Sequence, residues 1–268
     1  MSDGGDGTVG KALSVLDLVA AQERPIRFAE LHRMSALPKA TLYRLAQTLV
    51  SQNMLVQDPE TGAYSLGVRL VRLAHAAWRQ ASLAPVARPF LDQLSAETGL
   101  TVFLAQMDYG YVLYLDRRNA RDAAATFSDA GKVGPAYCTA LGKAMLAYLP
   151  EDELEQALGQ QSYYRFTPTT LGSAAVLRQA LERTRARGYA REREEHEPGA
   201  IAVAMPVRAA DGRVLGAVSI SGTTVQTDIR RLEGLVPRLR QTVDRVSREA
   251  SHWEFPVEGE TEREGRAV

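Results

Sequence analysis

From Thr8 onward, apolar residues recur at helical spacing at Val9, Ala12, Leu13, Val15, Leu16, Val19 and Ala20. This predicts an amphipathic helix with Thr8 as its N-cap and Pro25 beyond its end. A short helix is expected over about 27–33, with Phe28 and Leu31 inward, then a turn through Met34-Ser35-Ala36-Leu37-Pro38. A third helix should open at Pro38 and run to about Ser51, because the first helical position has no N–H bond for proline to lose. The apolar period then shortens to that of strands. Met54–Gln57 and Ala63–Leu66 flank the turn Asp58-Pro59-Glu60-Thr61-Gly62, which reads as a hairpin. Three helices followed by a hairpin is the order of a winged helix-turn-helix.

Helical periodicity returns over about Gly67–Gln80, with Leu70, Leu73, Ala74 and Ala77 on one face, and again from the Pro85/Pro89 bracket through Phe90, Leu91 and Leu94 to Gly99. Strands Thr101–Gln106 and Tyr111–Asp116 flank the turn Asp108-Tyr109-Gly110. Helices are expected near 139–149, 151–159 and 173–187, strands at Ile201–Val207 and Val214–Ser221 around Asp211-Gly212, and a last amphipathic helix over about 228–250. Residues 1–7 and the charged tail from Glu254 read as disordered.

A length of 268 residues, 45% hydrophobic and 24% charged, suits two ordinary globular domains. Lys+Arg and Asp+Glu are both 32, so net charge favours no partner class. The single cysteine, Cys138, excludes an intrachain disulfide framework and a multi-cysteine zinc site, and fits a reducing cytoplasm. His32, His75, His196 and His252 are scattered without metal-ligand spacing, so neither metal nor cofactor is expected. The opening MSDGGDGTVG has no apolar run behind a basic flank, and no stretch approaches the roughly 20 apolar residues of a membrane helix. Neither a signal peptide nor a membrane partner is expected. There is no nucleophile elbow, P-loop or dinucleotide fingerprint. An enzyme reading would rest on Cys138 and His196 alone, and no catalytic residue is assigned.

The segment 37–45 has what a DNA-reading helix needs. Leu42, Leu45 and Leu49 fall on one face, leaving Lys39, Ala40, Thr41, Tyr43 and Arg44 on the others. Lys39 and Arg44 suit phosphates or guanine edges, Thr41 suits phosphate or a thymine methyl, and the helix N-terminus at Pro38 attracts phosphate. On spacing alone an ordinary charged surface helix fits equally well. Charge does not decide, since residues 1–72 hold eight Lys/Arg against seven Asp/Glu, and the wing tip carries Asp58 and Glu60. A protein-docking role for these helices also stays open.

In the second half, the helix expected after Tyr137–Gly142 begins with N–H groups that lack intrahelical partners and can hold a carboxylate. Strand alternation in Val218-Ser219-Ile220-Ser221 puts both serines on one face. They make a small polar patch suited to a ligand pocket, or else the solvent face of an edge strand.

The stretch FAELHRMSALPKATLYRLAQTLVSQNMLVQDPETGAYSLG resembles the DNA-binding module of the IclR family of bacterial transcription regulators. The likeness rests on Leu37-Pro38, Lys39, Thr41, Arg44-Leu45 and Gly62-Ala63-Tyr64-Ser65-Leu66-Gly67. Ala36 and Asn53 depart from it, at turn positions where the family commonly has Gly. GKVGPAYCTALGKAMLAYLP (131–150) and REREEHEPGAIAVAMPVRAADGRVLGAVSISG (191–222) resemble the same family's effector domain.

The resemblance implies an α+β protein: a winged helix-turn-helix DNA-binding domain at 8–66, a linker helix at 67–80, and a GAF/PAS-like effector-binding domain with a curved antiparallel sheet at 82–250. It implies double-stranded operator DNA and a small-molecule effector as partners, and a homo-oligomer, a dimer or dimer of dimers. It also implies an effector pocket built from the backbone at Ala140 and Leu141 with Glu192, Ala202, Ser219 and Ser221. Glu192 stands where the small-acid-binding pattern has Asp, and Ala202 where it has Cys. Tyr137, Cys138 and Met205 are further wall candidates, and Lys143 reads as a surface or structural charge.

Overall fold

The computed structural model describes residues 7–22, 24–81, 83–119 and 131–250, with backbone alone over 75–81. The tails read as disordered lie outside the described residues, apart from Gly7. The chain divides into two compact units, Met1–Gln80 and Ala81–Val268.

The first unit runs α1 (Thr8–Ala20), β1 (Ile26–Arg27), α2 (Phe28–Met34), α3 (Lys39–Ser51), β2 (Leu55–Gln57), β3 (Ala63–Leu66) and α4 (Val68–Ala81). Its core joins Val15, Leu16 and Val19 of α1 to Leu31, Leu42, Leu45, Leu49, Leu55 and Tyr64. Gly7, not Thr8, is the N-cap of α1, and Pro38 is the N-cap of α3 rather than its first helical residue. β1 escapes the periodicity because two residues carry no period; it pairs antiparallel with β3, giving the sheet order β1-β3-β2. The wing closes on two backbone devices. Asn53 takes the left-handed φ of 56°, which asparagine tolerates. At Gly67 a Cβ would lie 2.1 Å from the Asn53 carbonyl oxygen, so only glycine fits. Of the described side chains of α4, Leu70 packs on this core, whereas Leu73 is 50% exposed and Ala74 is exposed too. The Ala77 side chain lies outside the described residues.

The second unit is a three-layer α+β structure. Its elements are α5 (Ala84–Thr98), β4 (Thr101–Asp108), β5 (Tyr111–Arg118), β6 (Val133–Pro135), α6 (Ala140–Leu146), α7 (Glu151–Gln160), α8 (Ala174–Arg187), β7 (Ala190–Arg193), β8 (Ala200–Arg208), β9 (Val214–Thr223), α9 (Ile229–Gly234) and α10 (Val236–Ala250). The strands form one curled, wholly antiparallel sheet in the order β6-β5-β4-β9-β8-β7. The single last helix expected over 228–250 is two. Pro237, second residue of α10, has no N–H to continue the ladder from α9, and the chain breaks at Leu235. β6 and β7 are short edge strands that the apolar pattern does not mark.

Strand alternation gives the sheet two faces. Val102, Leu104, Val203, Met205, Val218 and Ile220 meet α5, α9 and α10 on one side. The other face is lined by small residues, Ala105, Ala190, Ala202, Ala204 and Ala217, and receives α6, α7 and α8. With so little side chain beneath it α6 sinks in, and every residue from Ala140 to Leu146 is buried. The approach has no slack: a Cβ at Gly142 would lie 2.3 Å from both the Cα and the carbonyl oxygen of Ala136. Gly142→Ala is therefore expected to destabilise the unit by about 3 kcal/mol through forced backbone movement. Gly159→Ala, on α7 with open space around it, should be neutral or stabilising. Thermal midpoints of the two variants check this.

Candidate functional site

Helix α3 is anchored by its inner face and bared on its outer one. Leu42, Leu45 and Leu49 are buried, while Pro38, Lys39, Ala40, Tyr43 and Arg44 are exposed and Thr41 is half-buried. Pro38 supplies no side-chain cap, so the first N–H groups of the helix point outward uncapped. Its neighbours hold it in register. Gln47 donates to the Tyr64 hydroxyl at 3.1 Å and to Gln57 Oε1 at 3.2 Å, tying helix to wing. Tyr43, 54% exposed, packs edge-on against Phe28 of α2 at 5.7 Å. Asp58 at the wing tip accepts from the N–H groups of Glu60 (2.9 Å) and Thr61 (2.7 Å), so its carboxylate shapes the turn.

In the second unit, Ala140, Leu141, Glu192, Ala202, Ser219 and Ser221 all line one cavity on the α6 side of the sheet. The strand register explains the convergence. Glu192 lies opposite Ala202, Ala202 opposite Ser221, and Ser219 opposite Phe103, all on one face. β9 is a central strand, so the serines point inward: Ser219 is 1% exposed and its hydroxyl lies 3.2 Å from that of Ser221. The space traced by the centre of a water-sized sphere is about 60 Å³. At about one water per 10–15 Å³ on this measure, that admits a molecule of a few heavy atoms.

The N-terminus of α6 forms the cavity's polar end. Thr139 caps it, accepting from the Gly142 N–H at 3.2 Å and donating to the Pro135 carbonyl at 3.0 Å. The Ala140 N–H donates to Glu192 Oε2 at 3.0 Å, so a carboxylate does sit there, and it is the protein's own. The Leu141 N–H has no partner among the described residues. Burial raises the Glu192 carboxyl to about 7, against the opposing pull of the Ala140 N–H and the Lys143 charge.

Lys143, 3% exposed, is buried and not on the surface. It pairs with the buried Glu195 in the loop after β7. The Thr167, Thr169 and Thr170 hydroxyls donate to the Glu194 and Glu195 carbonyls of that loop at 2.6–2.8 Å. The ion pair and the threonines bring His196 and Glu197 to the cavity wall, together with Phe103, Tyr114 and Thr139. Sequence reasoning missed these. Thr139 carried an N-cap signal, but His196 and Glu197 sit in a charge run that reads as a solvated face. The further wall candidates go elsewhere. Met205 faces α10 across the sheet, and Tyr137 and Cys138 lie in the α6-side core outside the cavity lining. Cys138 is 0% exposed, and burial, then the charges of Glu192 and Glu195, push its thiol well above the ordinary range, which disfavours a nucleophilic thiolate.

A winged helix-turn-helix with a bared second helix, joined in one chain to an α+β unit holding a small polar cavity, defines a transcriptional regulator with an effector-binding domain. Residues 8–59 match the IclR helix-turn-helix domain and residues 75–248 the bacterial transcriptional regulator IclR C-terminal domain. The chain belongs to the IclR family. It is 35% identical over 241 residues to the HTH-type transcriptional regulator XynR of Escherichia coli (strain K12), covering 90% of this chain and 96% of XynR. It is 30% identical to KdgR of the same organism, over 93% and 95% of the two chains. Its fold superposes on a crystal structure of an IclR regulator from Silicibacter sp. TM1040 with a TM-score of 0.79 at 26% identity, covering 93% and 98% of the two chains. These relatives are transcriptional regulators, not enzymes.

Two outcomes follow from the site's electrostatics. Lys143→Met leaves Glu195 buried without its cation and should destabilise the protein by about 3–5 kcal/mol, whereas Lys143→Met with Glu195→Leu should recover most of that, as read by denaturant unfolding. For Glu192, the folded carboxyl near 7 lies above its ordinary 4.5. Below the lower value both states hold the proton. Between the two values only the unfolded state ionises, so stability falls as pH rises, by about 3 kcal/mol in total, and is flat above. Glu192→Gln should remove that fall, which a comparison of the two pH–stability curves measures.

Proposed function

We propose that residues 8–66 read double-stranded operator DNA through Pro38, Lys39, Ala40, Thr41, Tyr43 and Arg44, that 67–80 link, and that 82–250 bind a small organic acid. The protein acts in the cytoplasm as a homodimer or dimer of dimers. One recognition helix reads only a few base pairs, so two heads on a two-fold related operator are needed. Among the described residues no helix is long and apolar enough to cross a membrane.

The observation that carries the sensing half is the convergence of Ala140, Leu141, Glu192, Ala202, Ser219 and Ser221 on one cavity a few heavy atoms in size. An acid of that size can be held by the Leu141 N–H and the paired serines. The acid binds one arrangement of the dimer better than another and shifts operator affinity by that difference.

The test has two arms. With DNA flanking its own gene as probe, Lys39→Ala and Arg44→Ala should each weaken binding and reduce the log–log salt slope by about one. Arg44→Ala should cost about 1–3 kcal/mol if it meets a base edge. A panel of three- to five-carbon acids should contain at least one that raises the thermal midpoint and changes operator affinity. Unchanged salt slopes in both variants defeat the DNA assignment; operator affinity indifferent to every bound acid defeats the sensing one.

A further inference from the structure

We propose that the cavity takes up its acid together with a proton: Glu192 meets the effector as a neutral carboxylic acid, so the protein reads the acid and the acidity jointly. The inference rests on the organic-acid reading of the cavity and adds the proton to it.

Glu192 lines the cavity and keeps 9% of its surface open. One carboxyl oxygen, Oε2, accepts from the Ala140 N–H. The other, Oε1, accepts no hydrogen bond among the described residues, and it is not sealed within the protein. The cavity admits only a few heavy atoms, so a carboxylate inside it stands beside that open oxygen. Two carboxylates sharing one site cannot both stay ionised, and one of them takes up a proton.

Nothing in the wall neutralises the pair instead. No lysine or arginine lines the cavity. From α6 and the segment before it, Lys143 is engaged by Glu195, and burial keeps the Cys138 thiol protonated. From the loop after β7, the charges of Glu195 and Glu197 raise the Glu192 carboxyl further, and burial pushes His196 towards its neutral form. From α8, which also packs on β7, Arg185 and Arg187 turn to the Ala147 and Tyr189 carbonyls. Strand alternation sends Arg191 and Arg193 to the other face of β7, where Arg191 meets Glu233 of α9. Tyr114 reaches the wall from β5, and β4, β8 and β9 offer only Phe103, Ala200, Ile201, Ala202, Ser219 and Ser221. Burial has already raised the Glu192 carboxyl to about 7 in the free protein, so the proton is available at neutral pH. Once protonated, Glu192 keeps Oε2 on the Ala140 N–H and donates through Oε1 to the effector's carboxylate, a charge-assisted bond. The proton comes from solvent, one per site, and the effector stays ionised.

Calorimetry on the full chain tests this, with propionate, lactate and pyruvate as probes, each titrated in phosphate and in Tris between pH 6 and pH 8.5. Simple carboxylic acids are ionised throughout that range, so any pH dependence belongs to the protein. Affinity should be nearly level below about pH 6 and fall about tenfold per pH unit above the free carboxyl's titration. At pH 8 the apparent enthalpy should differ between the two buffers by the amount that uptake of about one proton per site requires. Glu192→Gln places a neutral amide where the protonated acid would stand. It should flatten the pH dependence, abolish the buffer dependence, and bind the acid more tightly than the unsubstituted protein at pH 8.5. His196→Asn and Glu197→Gln should keep the slope, whatever they do to affinity. An acid that binds with no pH slope and no buffer dependence overturns the proposal and leaves an acid-binding cavity. A slope that survives in Glu192→Gln also overturns it, by assigning the proton elsewhere. If none of the three acids binds even at pH 6, the organic-acid reading falls and this proposal with it.

Discussion

The cavity is built on the depth to which α6 sinks into the alanine-lined face of the sheet. Gly142 admits the helix against Ala136 where any Cβ would collide with backbone. Once the helix is that deep, Lys143 has no route to solvent, and an unpaired buried ammonium is too costly to keep. Glu195 answers it, and that ion pair, with the Thr167, Thr169 and Thr170 hydroxyls, fixes the loop after β7. The loop in turn delivers His196 and Glu197 to the wall. A packing constraint at one glycine thereby sets the position of charged groups more than fifty residues further along the chain.

The DNA-reading unit solves a different problem with a smaller core. It must hold one helix rigidly while leaving that helix's outer face free. Three leucines fix α3 from beneath, and Gln47 ties it to the wing through Tyr64 and Gln57, so rigidity comes from the inner face and one polar tie. The groups proposed to meet DNA take almost no part in that core: Lys39, Ala40 and Arg44 are exposed, and Tyr43 leans on Phe28. They can change without unfolding the unit, and this is what allows effects on DNA affinity and on stability to be separated.

How much of this the sequence exposes depends on the range of the interaction involved. Helices with apolar faces, such as α1, α3, α5 and α8, are legible because their periodicity is local. The long hairpin strands are legible for the same reason, and Asn53 at the wing is legible because left-handed geometry narrows the residue choice. The short strands β1, β6 and β7 are not, since two to four residues hold too little alternation to stand out. The break at Leu235 is not, because the amphipathic pattern runs across it and masks the signal of Pro237. At the cavity, residues carried by the family resemblance are found together, whereas Glu197 and His196 are not anticipated. A charge run has the same appearance whether it faces water or folds over a pocket, and only the Lys143–Glu195 pair decides which.

The two positions where the cavity departs from the family's small-acid pattern are themselves neighbours. Glu192 on β7 lies directly opposite Ala202 on β8. The first departure adds a methylene to the carboxylate's tether, and the second removes a sulfur from the wall beside it. Residues opposed across an antiparallel pair have Cβ atoms about 4.5–5.5 Å apart, so the extra length and the released volume fall in the same place. The Glu192 carboxyl accepts from the Ala140 N–H at 3.0 Å, beside the small side chain of Ala202. Read as a pair, these residues set a carboxyl group that burial raises to about 7 against the first turn of α6, so at neutral pH that end of the cavity carries only part of a negative charge.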